Sequence, residues 1–439
     1  MRVKQTRRIM VLAWPIVISM LSYTAMDLAD ALFVGWLGTT ELAAVGLAAT
    51  LLFMIQSFFL GTLQGVSIGA AQAEGARDLD RARRIAQMGI LLAIPFGLFV
   101  LAIALLREPL FLAMGGEPEV QRIAADYFKI RAFGVPFLLV MFAICNYYQG
   151  IGKTRVAMYF NLFANGLNIL LDPILIFGFG AIPAMGVEGA ALATVIAQFL
   201  GMVAAILFFV WNQGLRKEFD LQQARRILTL GLPLGLRFFL SMTGFTIFTA
   251  LIARLGTTEL AAHQIALRVV SVSFLPGHGI AQAAGILTGQ RVGARELEMV
   301  REVLFAGLQV AWVLMGIMGV FFFLFGTEIA SLFVDSEETI RLAAQLLIVA
   351  AAIQLLDATV MVLIQTLNGT GDTRFTAIAA IGANWCVLLP TAYLLAVVFE
   401  LGAPGAWMAI GVEFAVLASI MIWRFSSRRW HRYALSPTS

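Results

Sequence analysis

LGTTELAA stands at Leu37–Ala44 and again at Leu255–Ala262, 218 positions apart. An eight-residue identity carrying Gly, two Thr and a Glu points to duplication of a longer stretch, and other landmarks agree. Pro15 in LAWPIVISML recurs as Pro233 in LGLPLGLRFF, and GARDLDRAR from Gly75 recurs as GARELEMVR from Gly293, at the same offset. QGIGKTR from Gln149 returns as NGTGDTR from Asn368, and Arg122 in EVQRIAA as Arg341 in ETIRLAA, at an offset of 219. An offset that drifts by one residue over five landmarks means that a whole half of the chain was copied.

Sixty per cent of the 439 residues are apolar and 13% are charged, against about 25% charged in a soluble domain. Between bunched charges lie twelve apolar stretches of roughly 20 residues, each long enough as a helix to cross a bilayer. The fold class is therefore all-α integral membrane, since helices satisfy their own backbone in lipid. Six spans per half is an even number, so both copies enter the membrane from the same side. That predicts two parallel-repeat six-helix bundles forming a central cavity, with lobes at 1–211 and 227–439 joined by the charged linker Asn212 to Arg226. The first apolar run is too long for the h-region of a signal peptide and is expected to stay as the first span.

Most of the 30 Lys and Arg fall on one side when the segments alternate, from Arg7 and Arg8 through Arg83, Arg216, Lys217 and Arg295 to Arg432. This places both termini in the cytoplasm and explains the net charge of +4 without a nucleic-acid partner. Cys145 and Cys386 fall inside spans and read as small buried apolar residues. GKT in QGIGKTR lacks the earlier glycine of a nucleotide loop, having Tyr147 there, and no strand precedes it. No metal spacing and no nucleophile, base and acid set occurs, so no enzyme, metal, nucleotide or cofactor is expected beyond a coupling proton or sodium ion. The partners are small-molecule substrates and the lipid bilayer, and the chain is expected to work as a monomer in the inner membrane.

The scaffold residues recur between halves; the intramembrane acids do not. Asp30 maps to Phe248, Asn168 to Val387, Asp172 to Thr391, and Asp357 back to Leu138. A charge at mid-bilayer costs about 2.5–3.5 kcal/mol on insertion scales, so each needs a reason. Asp27 and Asp30 share a face of span 1, and Asn168 and Asp172 share a face of span 5. Two carboxylates and an amide in a pocket of low dielectric disfavour two charges at once, and a proton or small monovalent cation relieves the repulsion. In the second half Arg237 on span 7 is expected to pair with Asp357 on span 10, taken as the deep acid of that half, while His263 and Arg268 on span 8 read as interfacial.

DALFVGWLGTTELAAVGL from Asp30, AAHQIAL from Ala261, NGTGDTR, NILLDPILIFG from Asn168 and GAALAT from Gly189 together resemble the multidrug and toxic compound extrusion (MATE) family along nearly the whole chain. The resemblance implies export of amphipathic, often cationic compounds in exchange for protons or sodium ions by alternating access. It also implies that Asp30, Asn168, Asp172 and Thr194 form the first-lobe cation site, and that Asp357 matches a span-10 acid which some members use for sodium. Those members carry a Glu on span 7 where this chain has Ser241, with Arg237 one turn before it, a departure that agrees with an Arg237–Asp357 pair. The alternative is a flippase or exporter of a lipid-linked or anionic metabolite in the wider superfamily, which would need more basic residues along the cavity than Arg237 and Arg268.

Overall fold

The computed structural model describes residues 2–214 and 219–434; positions 215–218, with Arg216 and Lys217 of the expected linker, and the last five residues lie outside the described residues. Among the described residues, twelve helices are long and apolar enough to cross a membrane: α1 (Val3–Gly35), α2 (Thr39–Gly75), α3 (Leu79–Met114), α4 (Pro118–Gly150), α5 (Thr154–Phe177), α6 (Gly186–Gln213), α7 (Leu221–Ala253), α8 (Thr257–Gly293), α9 (Leu297–Ser331), α10 (Glu337–Gly369), α11 (Thr373–Val398) and α12 (Gly402–Ser426). The protein is a multi-pass, all-α membrane protein. A short helix, α13 (His431–Ala434), follows α12.

The repeated LGTTELAA is the turn out of the first helix of each copy and the start of the second. Its Glu lies in the first turn of α2 as Glu41 and of α8 as Glu259, where a negative charge suits the helix dipole. Glu259 also accepts the Ala403 N–H at 2.9 Å, satisfying a donor at the start of α12. The GARDLDRAR turn is copied with its backbone: Arg77 and Arg295, 218 apart, both take a φ of 59°. The expected linker is shorter than its charges suggest. α7 already begins at Leu221, Asp220 accepts the Gln223 N–H at 3.1 Å, and the Asp220 carboxylate meets Arg84 at 3.1 Å.

Packing divides the chain into two compact units, Ile18–Glu74 with Asp78–Gly235, and Met1–Val17 with Gly75–Arg77 and Leu236–Ser439. The divisions fall inside α1 and α7, two residues past Pro15 and Pro233, where a proline has removed a helix hydrogen bond. Packing and sequence repeat therefore differ by the opening segments of those two helices and by the turn Gly75–Arg77.

Inside each unit the copied glycines make copied crossings. Gly150 of α4 lies on the Ser67 carbonyl of α2, and Gly369 of α10 lies on the Gly285 carbonyl of α8; neither has room for a Cβ. Gly89 packs against Val66 and Ala143, and Gly307 against the matching Ala284 and Val362. Gly61 is set against the Gly235 backbone, and its copy Gly279 meets Val17, the counterpart of Gly235. Helices in lipid gain no hydrophobic drive from one another, so close backbone approach at small residues supplies the contact.

Gly150→Val and Gly369→Val are expected to destabilise by about 1–3 kcal/mol or more through overpacking. Gly166→Ala, at a helical site with nothing near its missing Cβ, should be neutral or stabilising by up to about 1 kcal/mol. Thermal unfolding of purified protein in detergent, followed by fluorescence or aggregation, reads both.

Candidate functional site

A line of polar contacts ties α1 to α5 within one unit. The Asn165 amide donates to the Ser22 hydroxyl at 2.8 Å, and the Tyr23 hydroxyl donates to Asn161 Oδ1 at 3.4 Å. Farther along, the Asp30 and Asp172 carboxyl groups are electrostatic neighbours. The Asn168 amide donates to Asp172 Oδ1 at 3.2 Å and to Thr194 Oγ1 of α6 at 3.3 Å. Thr194 in turn donates to the Ala190 carbonyl at 3.1 Å. Asn168, Asp172 and Thr194 are buried, so the four residues expected to act together form one cluster.

Three buried oxygens of this cluster, Asp30 Oδ1, Asn168 Oδ1 and Asp172 Oδ2, have no hydrogen-bond partner. Unmet acceptors cost free energy in a dry interior. Two neighbouring carboxyl groups in a buried site repel when both are ionised, and a proton or a cation relieves that repulsion. Among the described residues there is no group of three His, Cys, Asp or Glu suited to a metal ion.

Asp27 is exposed and feels both Asp30 and Arg131. Arg131 of α4 was not anticipated from the sequence. It lies within electrostatic reach of Asp27, Asp30 and Asp172, and it donates to Gln198 Oε1 on α6 at 3.4 Å. The signal for it was a lone guanidinium beyond Asp126 and Lys129 in an otherwise apolar span. The acid cluster thus carries its own built-in counter-charge.

The second half corrects three expectations. No ion pair joins Arg237 to Asp357 among the described residues; the charged neighbour of Asp357 is Glu413 of α12, and the titratable neighbour of Arg237 is His278. The pairing followed from taking Asp357 as the one deep acid of its lobe, and Glu413, itself buried, breaks that elimination. The Asn384 amide donates to Glu413 Oε1 at 3.4 Å from a π-helical segment, Ala383–Leu388, a distortion frequent at functional sites. His263 is fully buried rather than interfacial. The Trp407 indole donates to its Nδ1 at 3.0 Å, and Thr249 Oγ1 lies 3.3 Å from its Nε2, so it is a satisfied core histidine. Cys386 is exposed, not buried, and Cys145 is buried as expected. Ser241 is half-buried on α7 and Arg268 exposed on α8.

The MatE family model matches the chain twice, over residues 15–174 and 233–394. The chain belongs to the MatE family. The two matches begin at the paired prolines and coincide with the two copies of the repeat. A probable multidrug resistance protein NorM from Rhodopseudomonas palustris is 32% identical over 94% of this chain and 90% of its own length. The corresponding protein of Bradyrhizobium diazoefficiens is 31% identical over 94% and 91%. Among solved structures, a MOP superfamily transporter from Pyrococcus furiosus is 25% identical, with a TM-score of 0.87 over 98% of this chain and 97% of that one. The Vibrio cholerae MATE transporter VcmN, at 20% identity, shares the fold with a TM-score of 0.90, over 98% of this chain and 99% of its own. Family members are transporters, and this chain is a transporter rather than an enzyme.

Replacing the expected Arg237–Asp357 pair by an Asp357–Glu413 neighbourhood changes what a double-mutant cycle should show. Arg237→Met and Asp357→Asn should add to within about 0.5 kcal/mol, whereas Asp357→Asn and Glu413→Gln should couple by about 0.5–3 kcal/mol. Melting temperatures of the singles and doubles read both cycles.

Proposed function

We propose that this protein is a secondary active multidrug exporter of the inner membrane, expelling amphipathic, cationic small molecules in exchange for protons. The export reading is supported by the NorM relatives, which carry multidrug resistance in their names. The proton reading rests on the two facing carboxyl groups of Asp30 and Asp172. A hydrogen bond between two carboxyl groups exists only with a proton in it, so cycling that proton breaks and remakes a tie between α1 and α5. Loss of the proton leaves two carboxylates in a dry pocket, and their repulsion is of the size that shifts a conformational equilibrium.

Arg131 offsets part of that repulsion and keeps the deprotonated state accessible. Asn168 orients Asp172 and holds it toward Thr194. A sodium ion on the three unpartnered oxygens is the second reading, since a hard cation takes oxygen ligands. The crowding of basic residues at one set of turns favours cytoplasmic termini, which puts the export direction away from that side. The exporter needs no nucleotide.

In proteoliposomes, a pH gradient imposed without sodium should drive transport of a cationic dye such as ethidium, while a sodium gradient at equal pH should not. Asp30→Asn and Asp172→Asn should each bring gradient-driven transport to background at unchanged membrane levels, because the amide keeps the shape but cannot cycle a proton. Sodium-driven transport in the wild type would assign the unpartnered oxygens to sodium instead. Transport that needs ATP would end the exporter reading.

A further inference from the structure

A cleft of about 450 Å³ lies within one unit, between α9, α10 and the end of α12, inside the range of about 300–1,000 Å³ usual for small-molecule sites. Its chemistry is graded. Leu304, Leu308, Leu363, Ile422 and Phe425 line its apolar part, and Trp312 stands there with its indole N–H donating to Thr359 Oγ1 at 2.9 Å. At the mouth, where α9 begins and α12 ends, stand Arg301, Arg428 and His431, with Glu298 beside them.

The mouth is built by a strained turn. Arg428 has a φ of 53°, a left-handed conformation uncommon outside Gly, Asn and Asp that persists where its surroundings fix it. The turn folds the chain back so that the buried Trp430 stacks on Phe425, with ring centroids 5.6 Å apart and planes inclined by 16°. The Trp430 indole donates to the Phe425 carbonyl at 3.1 Å, which fixes the turn, and His431 packs edge-on against Trp430 at 4.2 Å. Glu298 reaches Arg428 at 4.0 Å, the outer limit of an ion pair, with both side chains largely exposed. Arg301 lies against the Phe305 ring at 5.5 Å. Two guanidinium groups over one carboxylate leave the mouth net positive.

We infer that this cleft binds an anionic phospholipid, with one acyl chain between α9, α10 and α12 and its phosphate on Arg301 and Arg428. The match is one of charge and of order: an apolar cleft with a basic end reproduces the order of tail and phosphate along a lipid. A peptide or a drug would not require that order. Basic pockets between membrane helices hold anionic headgroups by the same logic, and guanidinium groups suit phosphate because they donate in a planar fork. The ligand would tie α9 and α10 to the end of α12.

The test uses the full chain, stripped of lipid in detergent, and Trp312 as the reporter. Phosphatidylglycerol brominated on its acyl chain should quench a component of tryptophan fluorescence that Trp312→Phe removes, and should do so at about tenfold lower concentration than brominated phosphatidylcholine of the same chains. Arg301→Gln with Arg428→Gln, two exposed substitutions whose unaltered melting can be checked first, should abolish the preference while leaving the weak quenching. Soluble glycerol phosphate should not displace the lipid. Equal quenching by both lipids, a preference that survives the double substitution, a phosphatidylglycerol-preferring component undiminished in Trp312→Phe, or displacement by glycerol phosphate would each overturn the proposal.

Discussion

Contacts between helices that leave no space for a Cβ are the constraint on which the rest of this molecule depends. Lipid tails are as apolar as leucine, so helices in a bilayer are not driven together by burial, and what remains is packing and hydrogen bonding. Gly150 on the Ser67 carbonyl and Gly369 on the Gly285 carbonyl are the same crossing written twice. They set α4 on α2 and α10 on α8. α5 and α11 follow directly, each after a turn copied from QGIGKTR to NGTGDTR. Those two helices carry Asp172 and, at the matching position, Thr391, where the two halves differ in chemistry.

A duplicated frame with unduplicated acids is a division of labour between halves. Where the first half has Asp30, the second has Phe248, fully buried and packed on His263 at 5.8 Å. That histidine is spoken for by Trp407 and Thr249, so the region is a closed aromatic core. Its own carboxylates stand elsewhere, Asp357 on α10 and Glu413 on α12. One asparagine position is common to both: Asn165 and Asn384, 219 apart, donate to Ser22 in the first half and to Glu413 in the second. Copying preserved the donor, and what it serves was chosen afterwards.

The spans, the repeat and three members of the acid cluster were legible in the sequence because each is a departure from a monotonous background. A lone Asp in an apolar run stands out as clearly as an eight-residue identity does. Thr194 does not, since a threonine inside a helix is ordinary, and only the likeness to a family pointed to it. Arg131 was obscured by its nearness to Asp126 and Lys129, which made it look like the end of a polar stretch. Glu413 carried the same signal as Asp357, and leaving it out produced the wrong partner for Arg237. The division of packing inside α1 and α7 left no local trace beyond Pro15 and Pro233, because a proline marks where a helix can break but not what each side packs on.

The proposed proton exchange runs through the Asp30–Asp172 pair, and infrared difference spectroscopy looks at that pair directly. A shared proton gives a carboxylic acid C=O stretch, separate from the carboxylate bands. In the substrate-free protein that band should be present, should weaken when a cationic substrate binds, and should be altered by Asp30→Asn and by Asp172→Asn but not by Asp357→Asn. A spectrum with no substrate-sensitive carboxylic acid band, or one that both first-half substitutions leave unchanged, would contradict proton exchange at this pair.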